Sequence, residues 1–177
     1  MAAPTAPGAA VTAEQAWKLL SMVNEWIRFA DAKAGATLAF SGVMGTLLYN
    51  LVKDLHQRTT WLDVTVVLTC TLLFLAVLLA GWTIAPRMKG KDVVPDTINN
   101  LYFASIAANY KGNRLAYREE LGRLSTDSQA LVEELADQIH VNATIATAKN
   151  QRVAWAVRAG LVAGLLLALV TIQVGLL

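Results

Sequence analysis

The sequence predicts an all-α, multi-pass integral membrane protein with three transmembrane helices and a small helical cytosolic domain, on the strength of three observations. Hydrophobic residues make up 55% of the 177 and charged residues only 16%. A soluble domain of this size still needs a mostly polar surface, so the surplus of apolar side chains has to face lipid. Three stretches without charge are each close to the roughly 20 residues that cross a hydrocarbon core. Residues 86 to 152, between the second and third stretch, carry instead the pattern of short amphipathic helices.

The first dozen residues are rich in Ala and Pro, with neither a basic start nor a continuous apolar run. They read as a disordered tail, residues 1 to 12, and not as a cleaved signal peptide. Thr12 followed by Gln15 is a capping box, and Trp17, Leu20, Val23, Ile27 and Ala30 then recur at helical spacing. An amphipathic cytosolic helix is therefore expected over 13 to 33, running straight into a first span over 34 to 52. Arg28, Asp31 and Lys33 stand at the entry to lipid. They fit an interfacial anchor, and equally part of a ligand or gating site.

The second span is expected over 64 to 85, with Trp61 and Trp82 about one membrane thickness apart at its two ends. Pro86 stops it. A basic, flexible linker follows from Pro86 to Val94. Next come a short amphipathic helix with Asp96 as N-cap and Ile98, Leu101, Tyr102 and Ile106 on one face, a turn around Gly112, and a second short helix from Arg114 to Leu124. Thr126 and Gln129 form another capping box. With no Pro or Gly from there to Gly160, one long helix is expected to become the third span, 153 to 177. Val132, Leu135, Ile139, Asn142, Ala146, Lys149 and Val153 recur along it in steps of three and four, which makes a packing seam. Asn142 and Lys149 interrupt that seam with polar groups that need partners if buried. They fit register-setting polarity, a snorkelling lysine, or residues facing a ligand. Small residues at four-residue spacing, above all Gly160, Gly164 and Ala168, suggest close helix contacts within the chain or between chains, and a homo-oligomer is expected.

Lys18, Arg28 and Lys33 before the first span, and Arg87, Lys89, Lys91, Lys149 and Arg152 between the second and third, outnumber Lys53 and Arg58 in the short loop. The positive-inside bias therefore puts the N terminus and the long loop in the cytosol and the C terminus in the periplasm. A net charge of +2 gives no reason to expect nucleic-acid binding. Cys70 lies in an apolar run as a small hydrophobe, and His56 and His140 have no carboxylate or cysteine at ligand spacing, so no metal site is expected. Glu133 and Glu134 read as a solvated helix face. No phosphate-binding glycine loop or nucleophile elbow is present. No catalytic residue, enzymatic activity or cofactor is expected. Basic and aromatic residues of the cytosolic domain could still hold a small anion.

Asp31, Lys33 and Ala34 at the mouth of span one, Pro86 and Arg87 after span two, Tyr102 and Phe103 in a short helix, and Gln138, Asn142, Ala146 and Lys149 on the last helix together resemble the transmembrane effectors of bacterial Pycsar antiphage systems. The resemblance covers most of the chain from about Glu14, and His140 stands where that family favours an aromatic residue. It implies a bacterial inner-membrane protein, paired with a pyrimidine nucleotide cyclase, that senses cyclic UMP or cyclic CMP and impairs the membrane, causing abortive infection. Lys149 and Arg152 are then expected opposite the phosphate, Tyr102 or Phe103 against the base, and Asn142 at the base edge, with Asp31, Lys33 and Arg87 as gating or interfacial residues. A structural or scaffolding membrane protein without a nucleotide ligand is the alternative.

Overall fold

The computed structural model describes residues 11–56, 59–85 and 99–176. They form five helices: α1 (Ala13–Val52), α2 (Thr60–Ile84), α3 (Phe103–Asn109), α4 (Arg114–Thr126) and α5 (Ser128–Gly175). The fold among the described residues is all-helical, and α1, α2 and α5 are each long and apolar enough to cross a membrane. The residues fall into two compact units. One takes α3, α4, the part of α1 before Ile27 and the part of α5 before Ala146, and the other takes α2 and the remainders of α1 and α5.

Cap chemistry sets several helix ends. The Thr12 hydroxyl accepts from the Gln15 backbone N–H at 3.3 Å while the Gln15 carboxamide oxygen accepts from the Thr12 N–H at 3.1 Å, the reciprocal pair of a capping box. Thr59 accepts from the Leu62 N–H and opens α2. At its other end Ala85 turns to extended backbone, as the residue before a proline prefers.

In the unit that holds α2, one buried cluster is built mostly of alanines, while many large apolar residues face outward. Ala30, Ala34, Ala80 and Ala156 have no exposed surface and pack with Val153 in one cluster. Phe74, Val67 and Leu165, by contrast, are 64%, 65% and 70% exposed. In water this order would be unstable. In lipid it is the expected one, because hydrocarbon solvates large apolar side chains as well as a protein core does, and helices associate by close backbone approach. Buried hydroxyls are satisfied within their own helix: Thr37, Thr69 and Thr83 donate to the carbonyls of Lys33, Thr65 and Leu79 at 2.7–2.8 Å. At the opposite end Leu48, Leu62, Leu167 and Val170 form a second cluster. The first residues of α2 thus meet the last of α1, and Ala80 near the end of α2 meets Ala30 and Ala34, so α2 runs antiparallel to α1 while α5 runs parallel to it.

The other unit has its own core, Ala16, Leu20 and Leu135 with Leu101, Leu131 and Ile139 against them. Two sequence expectations are corrected here. The short helix begins at Phe103, with Tyr102 as an N-cap that makes no side-chain cap bond, because residues 99–101 are drawn into a turn by side-chain bonds to α5. Asp96, expected as its cap, lies outside the described residues, as do the linker from Pro86 to Val94 and residues 1–10 of the tail. The second cap is also displaced by one residue. Asp127, not Thr126, receives the first N–H groups of α5, from Gln129 and Ala130 at 3.1 and 3.0 Å, while the Thr126 hydroxyl turns back to the Arg123 carbonyl. The turn around Gly112 is present, and its φ of 78° is the left-handed conformation that glycine adopts without strain.

Candidate functional site

Polar groups concentrate on the seam where α1 and α5 meet. In the unit with α2, Lys149 is buried and its ammonium donates to both carboxylate oxygens of Asp31, at 2.6 and 2.9 Å. The lysine side chain is 11% exposed and the aspartate 38%. In the other unit, Asn142 donates to the Asn24 carboxamide oxygen at 2.8 Å and accepts from Gln138 at 3.0 Å. Each pair lies 118 residues apart in the chain, the constant offset of two parallel helices in register. In sequence the two pairs are seven residues apart on each helix, at positions where polar side chains fix register at some cost in stability.

Two of the residues assigned to different roles from sequence, Asp31 and Lys149, are therefore partners. Arg152 lies with its guanidinium 5.4 Å from the centre of the Trp82 ring, a cation–π distance, so an indole read only as an interfacial anchor also holds a cation. Tyr102 and Phe103 touch each other, with ring centres 4.8 Å apart, and Phe103 is 63% exposed. Tyr102, Phe103 and Asn142 belong to the unit containing α3, and Lys149, Arg152, Asp31 and Lys33 to the one containing α2. Arg87 lies outside the described residues.

Lys33 is exposed and borders a groove of about 280 Å³ whose walls are Ala36, Phe40, Val157, Gly160 and Leu161, with Thr37 below. Gly160 faces the Phe40 ring, and a side chain on Gly164 would meet the Met44 methyl at 3.0 Å. The glycines of the small-residue row thus serve contact between α5 and α1 of the same chain.

A second polar cluster escaped the sequence reading. Asn100, nearly buried, donates to Glu134 and Glu120 at 3.0 and 3.2 Å and accepts from the Tyr110 hydroxyl at 2.9 Å, while its backbone N–H donates to Glu134 at 2.9 Å. Glu134 is therefore the anchor of a turn and not a solvated face. Hydrogen bonding to Arg123 holds the Glu120 carboxyl below its usual range. Burial, helped by the charges of Glu120 and Glu134, pushes the Tyr110 phenol up. Every polar group of Asn100 is used within the chain, so the cluster latches the segment before α3 onto α5. Asn24 was missed as well, although its seven-residue spacing to Asp31 mirrors that of Asn142 to Lys149.

Three helices able to span a membrane, joined to a separate helical unit with a polar network, define a small multi-pass membrane protein. The chain belongs to the Pycsar effector family, whose effector-domain model matches residues 15–176. It is 32% identical to the Pycsar effector protein PtPycTM of Propioniciclava tarda over 136 residues, which make up 77% of this chain and 67% of that protein. No solved structure matches it. Antiphage effector is accordingly its broad functional class.

Proposed function

We propose that the chain is activated by a cyclic pyrimidine nucleotide, cyclic UMP or cyclic CMP, made by a partner cyclase, and that it then impairs the inner membrane and causes abortive infection. On this reading it acts as a homo-oligomer, with its N terminus cytosolic and C terminus periplasmic, and performs no catalysis. The observation that carries the proposal beyond family membership is the bidentate ion pair of Lys149 with Asp31. A buried ammonium held by a carboxylate has a ready alternative partner in a cyclic phosphate, which also carries a single negative charge. Exchange of Asp31 for the phosphate would free α1 from α5 at the point where both enter the apolar unit. A ligand that makes this exchange binds the separated arrangement better than the paired one, and only such differential binding shifts a two-state equilibrium. Arg152 stands three residues further along α5 and adds positive charge for the same anion.

The test is equilibrium dialysis of the purified full-length protein in detergent with labelled cyclic UMP, cyclic CMP and cyclic AMP. Saturable binding of a pyrimidine nucleotide, weakened by Lys149→Ala, supports the proposal. Absence of binding to all three returns the chain to a scaffolding role.

A further inference from the structure

We propose that the groove between α1 and α5 is a binding site for one anionic phospholipid, with an acyl chain lying against Gly160 and the headgroup phosphate on Lys33. Four features point to that occupant. The groove lies wholly within the unit built from the spanning helices, and its walls are apolar. Phe40 and Leu161 stand exposed at its sides while Gly160 is buried at its base, so the surface is a furrow and not a flat lipid-facing wall. Lys33 is the last charged residue before the uncharged run of 34–52, which puts its ammonium where hydrocarbon gives way to headgroups. Its exposure leaves it open to a headgroup phosphate.

The size of the furrow decides between a lipid chain and a second copy of the protein. A helix with its side chains is about 10 Å across, too wide to enter a space of about 280 Å³. A segment of an unbranched acyl chain is narrow enough to lie in it, and hydrocarbon is also the solvent the groove faces. The lysine then selects the headgroup: a phosphate with net negative charge is attracted, and a zwitterionic choline headgroup much less. The site involves none of the residues assigned to the nucleotide, so it stands or falls separately from that reading. It would tie lipid occupancy to the spacing of α1 and α5, since Phe40 touches both the groove and the Gly160 contact.

Native mass spectrometry of the full-length protein, released from nanodiscs of phosphatidylcholine with a minor fraction of phosphatidylglycerol, reads the site directly. The wild type is expected to retain phosphatidylglycerol in excess of its share of the bilayer. Lys33→Gln, at an exposed position, should lower that preference about fivefold, corresponding to the roughly 1 kcal/mol of one basic residue at an anionic membrane surface. Ala36→Leu should remove retention of both lipids by filling the furrow. Unchanged phosphatidylglycerol preference in Lys33→Gln overturns the proposal, and that variant suffices should Ala36→Leu fail to fold. Retention that Ala36→Leu leaves intact while abolishing crosslinked dimers would assign the groove to a second copy and overturn it equally.

Discussion

Replacing Asp31 by asparagine leaves the Lys149 ammonium with no opposite charge in a place where little water reaches it. The lysine side chain is 11% exposed, and it loses an ion pair made through two contacts of 2.6 and 2.9 Å. Breaking a buried pair from one side costs about 3–5 kcal/mol, most of it the penalty of the orphaned charge. Because the Asp31 side chain is 38% exposed, the site is not fully dry, and a cost near the low end, about 3 kcal/mol, is expected. Lys149→Met should cost less, about 1 kcal/mol, since the carboxylate left behind is the more exposed partner and methionine fills the lysine's volume. The double variant, with neither charge, should be more stable than Asp31→Asn alone. A double-mutant cycle on unfolding free energies in mixed detergent micelles should therefore give a coupling of about 2 kcal/mol. Single-variant effects that add to within about 0.5 kcal/mol would refute the claim that this pair holds α1 to α5.

Three further outcomes follow from the same geometry. Gly164→Leu should destabilise the folded chain by about 1–3 kcal/mol through overpacking against Met44, even under monomeric conditions, as measured by the same unfolding assay. Tyr110 has a folded pKa above its ordinary value of about 10, so the stability it contributes is complete below that pH and is lost as the pH rises through the folded value. Helicity followed between neutral and strongly alkaline pH should fall more steeply in wild type than in Tyr110→Phe. A cysteine placed at the exposed Ser125, in a Cys70→Ser background, should resist an impermeant thiol reagent in intact cells and react after lysis, whereas labelling of intact cells would reverse the proposed orientation.

The fold was largely legible because lipid imposes a blunt constraint: charge-free runs such as 34–52 have few alternatives to a spanning helix. The seam of α5 was legible for a related reason, since Asn142 and Lys149 break an apolar repeat of three and four. Their partners were harder to find. Asn24 and Asp31 sit on a helix whose entry to lipid already carries Arg28 and Lys33, and a charge there reads as an anchor unless the second helix is known to run parallel at a fixed offset. The Asn100 cluster was invisible for a different reason. Its bonds join residues up to 34 positions apart, with no local periodicity to mark them, and they displace the start of α3 from the place its apolar pattern suggests. Capping signals had intermediate value: Thr12 and Gln15 pair as their spacing predicts, while at α5 the neighbouring Asp127 outcompetes Thr126 for the same N–H groups.

Membrane potential tests the functional account most directly. Cells expressing this chain with a cyclase that makes cyclic UMP or cyclic CMP should depolarise and stop growing, and cells with a catalytically dead cyclase should do neither. Lys149→Ala removes both the phosphate's partner and the pair that holds α1 to α5, so the potential should no longer differ between cells with the active and the dead cyclase. Unchanged potential and growth in wild type, with the nucleotide verified inside the cells, would contradict the account.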